Sequence, residues 1–199
     1  MNMPLPPDPG ELPARGRLGA WLSHRVDRWA HTARHPLFWV GSREMAGVSI
    51  GLTAWAFMTG VAMVKSGMSI TESVLMSLLV FAGSAQLAAI PLMAAGAPLW
   101  VVLAAAFCVN LRFVVFSLHL RPYFMHLRRS SRLYLGYFTG DVTYVLFTRR
   151  FPRPPETNGQ RRAQMAYLWG GNVTNWVFWQ SLSMLGIFLG AALPARWGL

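Results

Sequence analysis

Charge is what this chain withholds. From Ser73 to Leu111 there is no Asp, Glu, Lys, Arg or His, and Arg112, which ends the run, is followed by the largely apolar stretch 113–120. Only 7 of 199 residues are acidic, and the one cysteine, Cys108, has no partner for an internal disulfide, so cysteine usage says nothing about compartment. No HExxH, CxxC or GxSxG pattern and no Walker A loop occurs, and the five histidines lie outside the long apolar runs or at their edges. Those absences leave no signature of a metalloprotease, a serine hydrolase or an ATPase. No apolar h-region of secretory length is visible between Met1 and Arg34 either.

What is present is apolar length. The uncharged run suffices for two passes through a hydrocarbon layer about 30 Å thick, at roughly 20 helical residues per pass. Met45 to Val64 and Ala163 to Ala195 are further uncharged spans, bracketed by Glu44 and Lys65 and by Arg162 and Arg196. Backbone groups in lipid must be bonded within the segment, which leaves helices or a closed barrel. Barrel strands alternate apolar and polar residues, whereas 78–80 and 101–106 are apolar on every side. The fold class is therefore all-α, a polytopic membrane bundle. With 54% hydrophobic and 13% charged residues, the chain reads as one membrane domain over 45–199. The basic segment 1–44 before it is partly disordered at its Pro-rich tip. Leu18, Trp21, Leu22, Val26 and Trp29 recur there at helical spacing, which suits an interfacial helix or, equally, a frayed tail.

The formal charge of +11 resides in three arginine groups: Arg15 to Arg43, Arg121 to Arg132, and Arg149 to Arg162. Each flanks an apolar segment, the pattern of cytoplasmic loops rather than of a nucleic-acid surface. Simple counting then conflicts with this bias. If 45–64, 73–94 and 99–120 each cross once from a cytoplasmic N-terminus, the arginines of 121–132 fall outside. One reading removes the conflict: two apolar segments are re-entrant or broken, with Gly83 and Ser84 as one break point and Gly140 with Asp141 as the other. The alternative is that the charge bias fails in this chain.

The polar residues at membrane depth are the candidates for function. Phe81 to Gln86 reads FAGSAQ, with Gly83, Ser84 and Gln86 placed as a substrate-facing break or as a helix-packing notch. Asn110 and Arg112 form a second constellation and Asp141 a third; a mid-membrane arginine needs an acid, a carbonyl or water, and Asp141 is the candidate partner. Glu44 reads as a solvated flank. Gly47 with Gly51 and Gly186 with Gly190 have GxxxG spacing, which points to helix packing. Asn172, Thr174 and Asn175, with Trp169, Trp176 and Trp179, line a cavity or form an interfacial belt.

The run from Gly67 to Pro122, GMSITESVLMSLLVFAGSAQLAAIPLMAAGAPLWVVLAAAFCVNLRFVVFSLHLRP, resembles the AzlC family of branched-chain amino acid permeases, and the likeness continues more faintly through 138–147 and 165–193. The resemblance implies a multi-pass bacterial inner-membrane permease without a cofactor, exporting valine and related amino acids together with a small AzlD-type membrane subunit. Gly83, Ser84, Gln86, Asn110, Arg112 and Asp141 would then bind substrate. The chain departs from the family at Phe113, where a histidine is common, and at Val142, where an acid is common. It also lacks the usual proline of the first span, and it stops short of the family's last one or two apolar segments. These departures leave a second expectation, a non-transporting membrane scaffold.

Overall fold

A computed structural model describes residues 32–192, so the expectations for the first thirty-one residues lie outside the described part. Seven helices follow from Pro36: α1 (Pro36–Lys65), α2 (Ile70–Leu79), α3 (Gly83–Ala94), α4 (Leu99–Phe124), α5 (Arg129–Phe138), α6 (Asp141–Arg150) and α7 (Asn158–Ala192). The described residues contain no strand. α1 starts at Pro36, so its first turns belong to the segment read as an N-terminal extension.

α1 and α7 form the frame. They run parallel along their whole length, because Gly41 meets Tyr167, Gly170 meets Phe38, Gly60 meets Ser183 and Gly186 meets Phe57. A Cβ on any of these four glycines would lie 2.0–2.2 Å from a carbonyl oxygen of the other helix. Backbone approach this close needs residues without side chains, and it supplies the dispersion contacts that hold helices together where no hydrophobic effect acts. Gly186 and Gly190 thus serve packing as their spacing suggested. Gly47 and Gly51 do not, since no atom lies within 4 Å of where their Cβ would be.

Two hydrophobic clusters mark the ends of the bundle. At one end Leu120, Tyr123 and Phe124 of α4 pack with Leu135 of α5, Phe147 of α6 and Tyr167 and Leu168 of α7, against Leu37 and Val40 at the start of α1. At the other, Met63 near the end of α1 packs with Ile90 of α3 and Ile187 of α7, against Val74 and Met76 of α2. Both α2 and α3 therefore reach the second end, and between them the chain dips to mid-depth, where Ser77 donates to Gln180 Oε1 at 2.7 Å. α2 and α3 form a re-entrant hairpin. By the same reasoning α5 and α6 form another, entering from the first end and turning at mid-depth, where Asn172 Nδ2 donates to Thr139 Oγ1 at 3.1 Å. The two breaks fall where the sequence placed them: α3 opens at Gly83 and α6 at Asp141, after Gly140.

This arrangement removes the topological conflict. With the first hairpin re-entrant, α4 returns to the end where α1 began, and the described arginines outside the centre gather on one face. There Arg150 bonds Glu44 at 2.7 Å and Gln164 donates to the Arg153 carbonyl at 3.3 Å. Glu44, read as a solvated flank, also accepts from the buried Tyr167 hydroxyl, so it ties α1 to α6 and α7. The opposite face is built on tight turns. Gly67 (φ 90°) and Gly96 (φ 68°) each end a helix in the left-handed region, closed by Met68 N–H to the Met63 carbonyl at 3.3 Å and by Ala97 N–H to that of Leu92 at 2.9 Å.

The hairpins are also alike in sequence. Phe81-Ala82-Gly83-Ser84 at the first tip corresponds to Phe138-Thr139-Gly140-Asp141 at the second. Each hairpin follows one long helix and precedes another, and they enter from opposite faces, an inverted repeat of the kind that places half-helix ends at a bilayer midplane. The tips touch, with the Tyr137 hydroxyl donating to the Leu78 carbonyl and the Phe81 and Tyr137 rings 6.0 Å apart. α1 and α4 are long and apolar enough to cross a membrane. α4 turns Leu103, Phe107, Val115 and Leu118 outward, as a lipid-facing helix does.

Candidate functional site

The first residues of α3 and of α6 face each other across mid-depth, and α4 passes beside both. Arg112 Nη2 lies 3.1 Å from Asp141 Oδ2 and also donates to Ser84 Oγ. Three residues chosen from separate stretches of sequence thus form one cluster, and the Arg112–Asp141 pairing is the one expected. Both side chains keep about a third of their surface exposed, 34% and 36%. They border a cleft with a water-accessible volume of ≈ 70 Å³. That is several times the ~10–15 Å³ a single water needs.

The cleft has a polar and an apolar side. Gly83, Ser84, Arg112, Gly140, Asp141 and Asn175 make the first; Leu52, Trp55, Phe81, Phe113 and Trp179 dominate the second. On the polar side Arg112 Nε and Asp141 Oδ1 are buried without a hydrogen-bond partner, as is the nearby Asn110 Oδ1. Each member of the ion pair therefore has bonding capacity to spare. The N-termini of α3 and α6, where unbonded N–H groups carry partial positive charge, converge on the same place.

Gln86 and Asn110 do not line the cleft. Gln86 is fully buried, and its amide donates to the carbonyls of Val80 at 2.7 Å and Met76 at 3.2 Å, each of which also accepts a backbone N–H where α2 ends. Gly83 borders the cleft for a reason other than the backbone turn assumed for it, since its φ is not positive. A Cβ there would lie 2.3 Å from Trp179 Cη2, so the missing side chain makes room for an indole.

Several neighbours were not singled out in the sequence. Leu52 and Trp55 come from α1, one turn apart. Toward the basic face side chains join α4 and α6: Phe116 stacks on Tyr144 at 3.9 Å, His119 Nδ1 meets the Tyr144 hydroxyl at 2.6 Å, and Tyr123 meets Phe147 at 5.4 Å and donates to the Phe151 carbonyl at 2.8 Å. Register was the available signal, because Phe116 and His119 follow Arg112 at helical spacing, as Tyr144 follows Asp141. Of the second tryptophan group, Asn175 and Trp179 line the cleft, while Trp169 and Trp176 pack on Phe138.

The described geometry matches no solved structure. Among curated proteins the chain is similar to the inner membrane protein YgaZ of Escherichia coli K12, 25% identical over 157 residues that make up 78% of this chain and 62% of that protein. It therefore spans under two thirds of that relative's length. Residues 47–193, from the fourth turn of α1 past the end of α7, match the family described as AzlC protein. Both hairpins, the ion pair and most of the frame lie inside that match, and the chain belongs to the AzlC family.

Proposed function

We propose that the protein exports amino acids with branched apolar side chains, such as valine, across the bacterial inner membrane, as the large subunit of a permease completed by a small AzlD-type membrane subunit. The observation that supports this reading most is the ion pair with spare capacity. Arg112 offers donors to a carboxylate, Asp141 offers an acceptor to an ammonium, and much of the remaining lining is apolar. A zwitterion entering the cleft exchanges one internal ion pair for two external ones and so loses its hydration without leaving a charge alone in the bilayer. An isolated Arg or Asp at that depth costs about 2.5–3.5 kcal/mol on insertion scales. The half-helix N-termini of α3 and α6 add positive potential for the carboxylate. Conversion of the solute is not required, only its passage between two faces.

Orientation follows from the arginines. The described arginines on the basic face support a cytoplasmic location for it. The deciding experiment measures efflux of labelled valine from peptide-loaded cells carrying the wild-type chain, an Arg112→Ala chain or none. Faster efflux with the wild type than with the other two supports export through this site. Equal efflux in all three, with the protein present in the membrane, leaves the scaffold reading in its place.

A further inference from the structure

Trp179 is 6% exposed, and nothing polar fixes its ring, because Nε1 has no acceptor. It is held by shape. Trp55 meets it edge-on at 5.4 Å and 85°, Phe81 at 6.4 Å and 78°, and its outer edge occupies the space where residue 83 has no side chain. The Cβ of any larger residue at 83 would lie 2.3 Å from Cη2 and 2.5 Å from Cζ2, distances that real atoms do not adopt. Gly83 and Trp179 are therefore one steric unit. That unit lines the same cleft as the ion pair, with Gly83 next to Ser84 and the indole forming part of the apolar lining.

We propose that the Gly83–Trp179 pair is the specificity-determining element of this site, with the Trp179 ring setting the length of apolar side chain that fits once the solute's charged groups are held at Arg112 and Asp141. The assignment rests on the export reading above. An indole fixed by packing alone gives a rigid boundary, and its depth is fixed by how far it enters the gap at Gly83. A shorter aromatic at 179 deepens the cleft. A methyl group at 83 pushes the indole out into it.

The test replaces the chromosomal copy in the native host with variants, loads cells with peptides of alanine, valine, leucine, methionine or phenylalanine, and measures export of each amino acid. The size of the effect follows from what one methylene is worth in an apolar pocket. Trp179→Phe should move the leucine-to-valine and phenylalanine-to-valine export ratios upward by roughly tenfold. Gly83→Ala should depress export of all five, and Gly83→Ala with Trp179→Phe should recover export because the shorter ring vacates the space. Membrane levels and detergent melting temperatures of the same variants separate a changed boundary from a misfolded chain, and Trp179→Tyr replaces Trp179→Phe if the latter is not retained in the membrane. Unchanged ratios in an active, well-retained Trp179 variant, or Gly83→Ala export equal to wild type, overturn the assignment while leaving the export reading intact. Wild-type export no greater than in cells lacking the gene removes both.

Discussion

Arg112 and Asp141 sit where charges are expensive, and each makes the other tolerable. Their one-third exposure to the cleft lowers the cost of breaking the pair below that of a fully buried one. Arg112→Ala or Asp141→Ala alone should lower detergent stability by about 1–3 kcal/mol, because the remaining charge is left at depth. The double substitution should recover most of that loss, while export stays absent in all three. A double variant no more stable than the singles would show the pair to be independent of folding. The pairing was legible in the sequence because Asp141 is the one acid between Glu72 and Glu156. The role of Gln86 was not legible: a glutamine beside a break serves equally to bind a solute or to satisfy the break's own carbonyls, and only the bonds to Val80 and Met76 distinguish the two.

At the level of elements, the two breaks were readable because glycine beside a polar residue in an apolar run weakens a helix where lipid offers the backbone no other partner. The aromatic links between α4 and α6 were not, since Phe116, His119 and Tyr144 are ordinary residues until two helices are placed side by side. The loops on the basic face form a further element-level contact. Partial desolvation first, and the Arg161 guanidinium second, hold the His126 imidazole below its ordinary value. The folded value lies below the unfolded one, so stability is greatest above the ordinary imidazole range and is lost in part as pH falls through it. Arg161→Ala should raise the His126 value in an NMR titration, and high salt should do the same in the wild type. No movement in either would place the α4–α5 turn away from the start of α7.

For the whole molecule, the α1–α7 frame divides glycines that look the same in sequence. Gly170→Ala puts a methyl group 2.0 Å from the Phe38 carbonyl oxygen and should cost about 1–3 kcal/mol of stability in detergent. Gly47→Ala meets nothing and should be neutral or slightly stabilising, by up to about 1 kcal/mol of helix propensity. Equal effects would mean that the frame is held by something other than close backbone approach. The frame also imposes an order on biosynthesis. The first hairpin emerges from the ribosome before its support exists, because Gln180, which bonds Ser77, lies 103 residues further along the chain. A turn at mid-depth has backbone groups that lipid cannot satisfy, at several kcal/mol each. Residues 80–82 must therefore remain in contact with water until α7 has been made, and the hairpin seats itself afterwards. A cysteine introduced at Ala85, which is buried in the folded chain, together with Cys108→Ser, should react with a water-soluble maleimide in nascent chains halted before α7 and become protected once α7 is complete. Protection in the shorter chains would mean that the hairpin needs no such partner, and that insertion and folding here are a single step.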